Sequence, residues 1–122
     1  MNINLPASTI AANGYYLIAS GDNTGPLNVT PDYVAASLAL DENGQNNLVL
    51  MNGTQTIDSA LANVWPKGDK NLPASMERNA TSGNGLLASD WHIASASVGF
   101  DNGLAARGTP RSVNIVDGIV PT

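Results

Sequence analysis

The stretch Asn13-Gly14-Tyr15-Tyr16-Leu17-Ile18-Ala19-Ser20-Gly21-Asp22 sets the interpretation of the whole sequence. It begins with an Asn-Gly dipeptide, continues with aromatic and β-branched residues, and ends with a Gly-Asp dipeptide. Bulky residues at nearly every position over about eight residues indicate a strand that is covered on both faces. A helical segment is disfavoured, because glycines flank the run and two tyrosines are adjacent within it. The stretch therefore predicts the central strand of an all-β domain.

Further short strands are predicted downstream, joined by turns. Residues 47–51 are a clear strand, and Asn52-Gly53 connects them to a second arm at residues 54–61. An Asn-Gly pair favours a type I′ turn, which needs positive φ at both central residues, so this is the strongest hairpin signal in the chain. The alanine-rich segment 32–40 is compatible with a strand or a helix. A short alternating segment is predicted at residues 75–78, and short apolar elements are predicted at residues 90–94, 112–116 and 118–120.

The predicted core lies where the first strand meets the two arms of this hairpin. The strand from Tyr15 and both hairpin arms are expected to share a sheet or to face each other across one core. Leu17, Leu50 and Ile57 would then be buried, and replacing either leucine by alanine would cost about 2–5 kcal/mol.

The composition is typical of one extracellular domain. With 122 residues and a mass of 12.6 kDa, residues 1–122 are predicted to form a single unit. Charged residues make up only 12% of the chain, and Asn, Ser, Thr, Gly and Ala take their place. This low-charge, turn-rich pattern suits an all-β protein outside the cell or at its surface better than a cytosolic helical one. The N-terminus carries no secretory signal, so an exported protein would have lost its signal or would carry it outside this sequence.

Several classes of partner are disfavoured by the same counts. The formal net charge is −5, and no Lys or Arg precedes Lys67, so no basic stripe is available to bind nucleic acid. The absence of cysteine excludes a disulfide scaffold, thiolate zinc sites and cysteine nucleophiles. No apolar run approaches the roughly 18 residues that span a membrane, so membrane insertion is not predicted.

His92 is the only histidine of the chain and hence the only candidate for a histidine base. A catalytic base needs a nucleophile and an orienting acid nearby, and the sequence has no Gly-x-Ser-x-Gly nucleophile elbow. The acidic pair Asp41-Glu42 lies in one turn, with no second pair in recognisable register. His92 is therefore interpreted as a structural or surface residue, and no enzyme activity is predicted.

Asp22, Asp41 and Asp101 are candidate calcium ligands, because each precedes polar oxygen-bearing residues in a predicted loop. None of them follows the EF-hand spacing, and clusters of Asp, Asn and Gly also form ordinary turns without a metal. Calcium is thus the one cofactor that the sequence suggests, with metal-free turns as the alternative.

Glycans are an alternative class of ligand. Tyr33, Trp65 and Trp91 could stack on sugar rings, as aromatic side chains do. The chain has only six aromatic residues, however, and most of them are expected to be needed in the core.

Three segments, taken in chain order, carry a likeness to a known family. They are residues 5–20 with their proline and Gly-Tyr pair, the hairpin 48–59 ending in Ile-Asp-Ser, and Ser75-Met76-Glu77-Arg78 followed by Trp91, Gly108-Thr109-Pro110 and Asn114. The third segment is the most specific. On these residues the chain resembles the lamin tail domain family, an immunoglobulin-like β-sandwich found in nuclear lamins and in many bacterial secreted proteins.

The resemblance implies a non-catalytic structural or adhesive domain that binds other proteins, including copies of itself. A module that binds glycans or surface polymers is the second hypothesis, and an accessory domain of a larger secreted enzyme is the third. Family members usually begin with two further strands, whereas here nothing precedes the short segment that starts at Met1. The sandwich is therefore expected to be incomplete, with open strand edges. A chain boundary that trimmed the two strands is the plain alternative.

The C-terminal tail, residues 112–122, is the predicted donor of a completing strand, or else a linker. Its interaction residues are Val113, Ile115, Ile119 and Val120. The tail would fold back on its own domain or reach a neighbouring copy, which would give a homo-oligomer or a filament. The N-terminal segment through Leu5 is the second choice of donor.

Overall fold

The computed structural model describes residues 2–21, 25–79, 83–101 and 103–114. The described elements are short: β1 (Ile18–Ser20), β2 (Tyr33–Ala35), β3 (Leu48–Asn52), β4 (Gln55–Ala60), β5 (Met76–Arg78) and β6 (Trp91–Ile93). A single 3-10 turn at Ala88–Asp90 is the only helical element within those ranges. The protein is thus rich in strands with almost no helix, which confirms the all-β character. The strands pair as β1–β2, β3–β4 and β5–β6.

The first strand is shorter than the sequence predicted. Gly14 N–H donates to the carbonyl of Ala11 at 2.8 Å, and Asn13 closes this turn with a φ of 58°, a left-handed conformation that asparagine tolerates. Strand geometry begins only at Ile18, and Tyr15 remains exposed. Only Ala19 is buried within β1, so the run is not a strand that is covered on both faces along its length.

The ambiguous segment 32–40 contains strand β2 and no helix. β1 and β2 run parallel, with Ile18 opposite Tyr33. Asp32 fixes this pairing, because its carboxylate accepts the Leu17 N–H at 2.7 Å. The Leu17 carbonyl in turn accepts the N–H groups of Asp32 and Tyr33 at 2.8 and 3.2 Å. Asp32 also forms an ion pair with Arg111, which ties the β1–β2 pair to the C-terminal part of the described chain.

The predicted hairpin is present, but its turn is not the predicted one. Asn52 pairs with Gln55, so the turn residues are Gly53 and Thr54 rather than Asn52 and Gly53. Gly53 has a φ of 61° and is the one residue of this turn with positive φ, which fits a type II′ turn and not type I′. The physical reason is that Asn52 stays in the β3 ladder, while the second residue of the dipeptide takes the left-handed position. Ile57 is an extra residue in β4, where the register shifts between Leu50–Asp58 and Met51–Thr56.

The predicted core is wrong for Leu50 and Ile57, whereas Leu17 is partly buried. Leu50 is 45% exposed and Ile57 is 54% exposed, because the hairpin is a two-stranded sheet with Leu50 opposite the exposed Asp58. Leu50→Ala is consequently expected to cost much less than a buried leucine does. Among the described residues, the buried apolar side chains are all small: Ala19, Ala35, Ala62, Ala74 and Ala94.

β5 and β6 pair antiparallel, with Glu77 opposite His92. The chain just before the C-terminal tail packs against this pair through backbone hydrogen bonds. Ser75 N–H donates to Arg107 C=O at 3.0 Å, and Gly108 N–H donates to Ala96 C=O at 2.8 Å. These bonds bring Gly108-Thr109-Pro110 next to the middle of β5, where the candidate site lies.

The turn assignment predicts different effects for two neighbouring substitutions. Gly53→Ala should lower the free energy of unfolding by about 1 kcal/mol or more, because alanine is strained at positive φ. Asn52→Thr should be nearly neutral, since residue 52 is a strand residue on β3. Urea unfolding of both variants provides the measurement. A costly Asn52→Thr beside a harmless Gly53→Ala would contradict the observed turn.

Asp32 predicts an acid-sensitive contribution to stability. The Leu17 N–H, together with the Arg111 guanidinium, lowers the pKa of Asp32 below its ordinary value of 3.8. A lowered pKa in the folded state means that the contribution is present above the unfolded pKa and is lost as the pH falls through the folded value. Asp32→Asn should therefore destabilise the protein more at pH 7 than at an acidic pH well below 3.8. Urea titrations at both pH values, with the exposed Glu42→Gln as control, test this; an equal effect at both pH values would contradict it.

Candidate functional site

The buried carboxylate of Glu77 is the centre of the candidate site. Glu77 lies in the middle of β5 and is only 6% exposed. Its Oε2 lies 3.0 Å from Nε2 of His92 on β6, and its Oε1 accepts the hydroxyl of Thr109 at 3.1 Å. A carboxylate is rarely buried unless it is paired and hydrogen-bonded, and here both of its oxygens have partners.

The second ring nitrogen of His92 is also engaged. Nδ1 lies 2.8 Å from Oδ1 of Asn79, and the amide orientation follows from the bond that Asn79 Nδ2 donates to the carbonyl of Ser89 at 2.9 Å. Because Asn79 presents an oxygen, Nδ1 must carry a hydrogen. Nε2 faces the carboxylate of Glu77, so both ring nitrogens have a polar partner. Neither ring nitrogen is free to act as a general base in this geometry.

Asn114 extends the network to the end of the described chain. Its Nδ2 donates to the carbonyl of Arg78 at 2.9 Å, and its Oδ1 lies 3.2 Å from the hydroxyl of Thr109. Thr109 has a single hydroxyl hydrogen, so it donates to Asn114 or to Glu77 but not to both at once. The buried polar cluster of Glu77, Asn79, His92, Thr109 and Asn114 thereby joins β5, β6 and the 107–114 segment.

Arg78 forms a second cluster on the other face of β5. Its Nη2 contacts both carboxylate oxygens of Asp58 on β4, at 3.0 and 3.1 Å. The guanidinium also lies 5.0 Å from the ring centroid of Trp91, within cation–π range. The indole N–H of Trp91 donates to Gly85 C=O at 2.9 Å. Arg78 thus holds the β3–β4 hairpin to the β5–β6 pair.

Two open grooves flank these clusters. The first, about 430 Å³, lies between Tyr15, Arg78 and Val113. The second, about 420 Å³, has apolar walls from Met76, Trp91 and Phe100. Thr109, Asn114 and Arg78 line both grooves.

The predicted calcium ligands do not come together in the part of the chain that is described. Asp41 accepts the Asn43 N–H at 2.8 Å in its own turn, and Asp101 lies in another loop, where its N–H donates to Pro26 C=O. Asp22 lies outside the described residues. Within the described ranges, no three His, Cys, Asp or Glu side chains gather as a metal ion would require.

Of the predicted interaction residues, the structure describes one. Val113 is 39% exposed and lines the first groove. Ile115, Ile119 and Val120 lie outside the described residues. A search of the described residues for a helix long and apolar enough to span a membrane finds none.

The three aromatic residues considered for glycan binding lie on different elements. Tyr33 is in β2, Trp91 is in β6, and Trp65 follows β4 with its indole N–H bonded to the Asp41 carbonyl at 2.6 Å. All three side chains are partly buried. Trp91 alone lines a groove, and its ring is partly covered by Arg78.

Sequence reasoning identified His92 but missed its partners. A structural role for His92 fits the network, whereas a surface role does not, since its side chain is 19% exposed. The one available signal was Glu77, a charged residue within a short predicted strand. Asn79 carries no signal, because asparagine is abundant in the loops of this chain.

The network predicts that His92→Ala is destabilising. Removing the imidazole leaves the buried carboxylate of Glu77 without its principal partner, which should cost about 3 kcal/mol. In a Glu77→Gln background the same substitution should cost clearly less, because no buried charge remains to be left unpaired. Urea unfolding of the two single variants and the double variant measures this coupling.

The exposed ion pair between Lys70 and Glu42 provides the control, with side chains 74% and 69% exposed. Lys70→Ala should change the free energy of unfolding by less than about 1 kcal/mol. If His92→Ala and Lys70→Ala change the free energy of unfolding equally, the Glu77–His92 pair contributes no more to stability than an exposed ion pair does.

The chain matches no model of a known protein family, no curated protein and no solved structure. The resemblance to lamin tail domains therefore rests on the motif residues themselves. It remains a prediction, as do the sandwich architecture and the location that it implies.

Proposed function

We propose that the protein is a non-catalytic structural domain of the cell surface or extracellular space that assembles with copies of itself. The observation that carries this proposal is the exposure of apolar side chains on strands whose edges are open. Large apolar residues on β3 and β4 are about half exposed: Val49, Leu50, Met51 and Ile57. Several large apolar side chains that are exposed together on one hairpin favour a surface that contacts another chain.

The buried polar cluster supports a lamin-tail-like, immunoglobulin-like sandwich as the underlying architecture. Several residues of the third and most specific motif of the resemblance belong to the two polar clusters. They are Glu77, Arg78, Trp91, Thr109 and Asn114. A shared motif is expected to keep residues that cross-link strands in this way. The pairing of strands in twos fits a sandwich that lacks part of its sheets.

The first groove is the proposed acceptor for the completing strand. Val113 forms part of its wall, and the chain continues from Asn114 into a sequence with Ile115, Ile119 and Val120. An extended apolar segment can add to a groove flanked by strand edges through main-chain hydrogen bonds. Donation to a neighbouring copy repeats head to tail and gives a filament or a ring.

The engagement of His92 supports a function without catalysis. Its two ring nitrogens face Glu77 and Asn79, and the nearby Thr109 hydroxyl is directed to Glu77 rather than to the imidazole. A Ser-His or Thr-His nucleophile pair would need the hydroxyl next to the base. We expect hydrolase and nuclease assays to give only background rates.

A glycan-binding module is the second candidate. The observation in its favour is the second groove, which has Trp91 and Phe100 in its walls and the polar groups of Asn114 beside them. Aromatic walls with a few polar groups are a common arrangement in small-ligand sites. Binding on a glycan array that is lost in Phe100→Ala would favour this candidate over self-assembly.

The proposed assembly predicts that the tail is required. Removing residues 115–122 leaves Asn114 and the polar cluster intact, and it should lower the native oligomeric mass. A second variant keeps the full length and replaces Ile115, Ile119 and Val120 by serine. If apolar burial drives the contact, this variant should lose oligomeric mass as the truncated protein does. Size-exclusion chromatography with light scattering gives the mass. Truncated protein of unchanged oligomeric mass would remove the tail from the mechanism.

A further inference from the structure

The two edges of the β3–β4 hairpin differ in how they are protected. On the β4 side, the Ser59 N–H is bonded to the Asp58 carboxylate at 2.9 Å, and the Ser59 carbonyl accepts Arg78 Nη2 at 3.4 Å. Leu61 N–H, just beyond β4, donates to Gly85 C=O at 2.8 Å. The bulge at the other end of β4 bends that edge further. The outer edge of β4 is therefore closed to another strand.

The outer edge of β3 is regular and open. Within the described chain, the backbone groups of Leu48–Asn52 bond only to β4. Since Ser59 uses its N–H and C=O on the outer side, Val49–Ser59 is a non-hydrogen-bonded pair of the ladder, and the N–H and C=O of Val49 point away from β4. The backbone of Met51 points the same way, because Met51 lies next to the closing pair of the hairpin, Asn52–Gln55.

This edge is self-complementary. If two copies of β3 meet antiparallel around a two-fold axis at Leu50, the middle of the five-residue strand, then Val49 lies opposite Met51 of the other copy. The outward backbone groups of Val49 and Met51 then form two hydrogen-bonded pairs, with four bonds in all. Leu50 lies opposite its own counterpart in a non-hydrogen-bonded pair. The three central side-chain pairs are all apolar.

The charge distribution favours a second copy as the occupant. The protein has a formal net charge of −5, so most of its surface repels an identical molecule. Residues 43–57, which include all of β3 and the turn, contain no charged side chain. The next carboxylate, Asp58, is paired with Arg78. Native edge strands usually carry a charge that blocks such pairing, and this one carries none.

We propose that the outer edge of β3 is a homodimerisation edge, at which β3 of a second copy adds antiparallel to form a continuous four-stranded sheet. The proposal rests on the proposed function only in that both require self-association. It uses a different surface from the tail contact, since β3 does not line the first groove.

Cross-linking by single cysteines tests the register directly, because the natural chain has no cysteine. Across a non-hydrogen-bonded pair the Cα atoms are about 4.5 Å apart, within the range that a disulfide spans. Leu50→Cys should therefore give a covalent dimer under mild oxidation. Val49→Cys and Met51→Cys should each cross-link poorly alone, and an equimolar mixture of the two should cross-link well.

A charge on the edge tests the same contact without covalent chemistry. Met51→Lys brings a cation to the β3 edge and should raise the dimer dissociation constant at least tenfold. Val64→Lys is the matched control, because Val64 is 71% exposed and lies outside the hairpin, and it should leave the constant unchanged. Sedimentation velocity over a concentration series gives both constants, and circular dichroism confirms that both variants remain folded.

The outcomes separate this proposal from the proposed function. Efficient cross-linking at position 50, together with weakened association in Met51→Lys, supports the β3 edge. An oligomer that is unaffected by Met51→Lys and does not cross-link at position 50 overturns the β3 edge but leaves tail-mediated assembly standing. A wild-type protein that stays monomeric at every concentration overturns both.

Discussion

The burial of the Glu77 carboxylate is the constraint on which the rest of the structure depends. A buried charge is tolerated only where donors surround it, and these donors come from separate parts of the chain. His92 comes from β6 and Thr109 from the segment that precedes the tail. Satisfying this one group therefore fixes how three segments lie relative to each other.

Polar cross-links have this importance because the apolar core is small. The fully buried apolar side chains among the described residues are alanines, each of which removes little surface from water. The larger apolar residues, such as Leu50 and Ile57, remain about half exposed. A chain of this kind gains stability if its open faces are covered by another chain. Stability and assembly would then be linked, because a partner that binds only the folded form stabilises it.

The two polar clusters join different elements of the structure. The Glu77 cluster joins β5, β6 and the 107–114 segment around one buried carboxylate. The Arg78 cluster reaches outward to Asp58 and holds the hairpin by one bidentate ion pair and one aromatic contact. The hairpin is thus anchored at the base, near Ser59, while its turn end and the β3 edge remain available. This arrangement presents a strand edge for pairing without requiring the interior to move.

Sequence patterns were enough to predict the strand-rich class, the 48–60 hairpin and the short strands around Met76 and Trp91. These features follow from local rules, namely turn dipeptides and runs of β-forming residues, which act over a few residues. The sequence also indicated a structural or surface histidine, because no nucleophile pattern accompanies His92. It placed the hairpin turn one residue early, since an Asn-Gly pair does not reveal which of its residues remains in the ladder.

Which side chains are buried and which polar groups meet depends on contacts between distant segments of the chain. Leu50 and Ile57 match the pattern of core residues, yet they stay exposed because no second layer packs on the hairpin among the described residues. Asn79, Thr109 and Asn114 meet around Glu77 and His92 through contacts that span up to 36 residues. Such partners leave no periodic signal in a sequence, because hydrogen bonds between distant segments depend on how the strands are brought together in space.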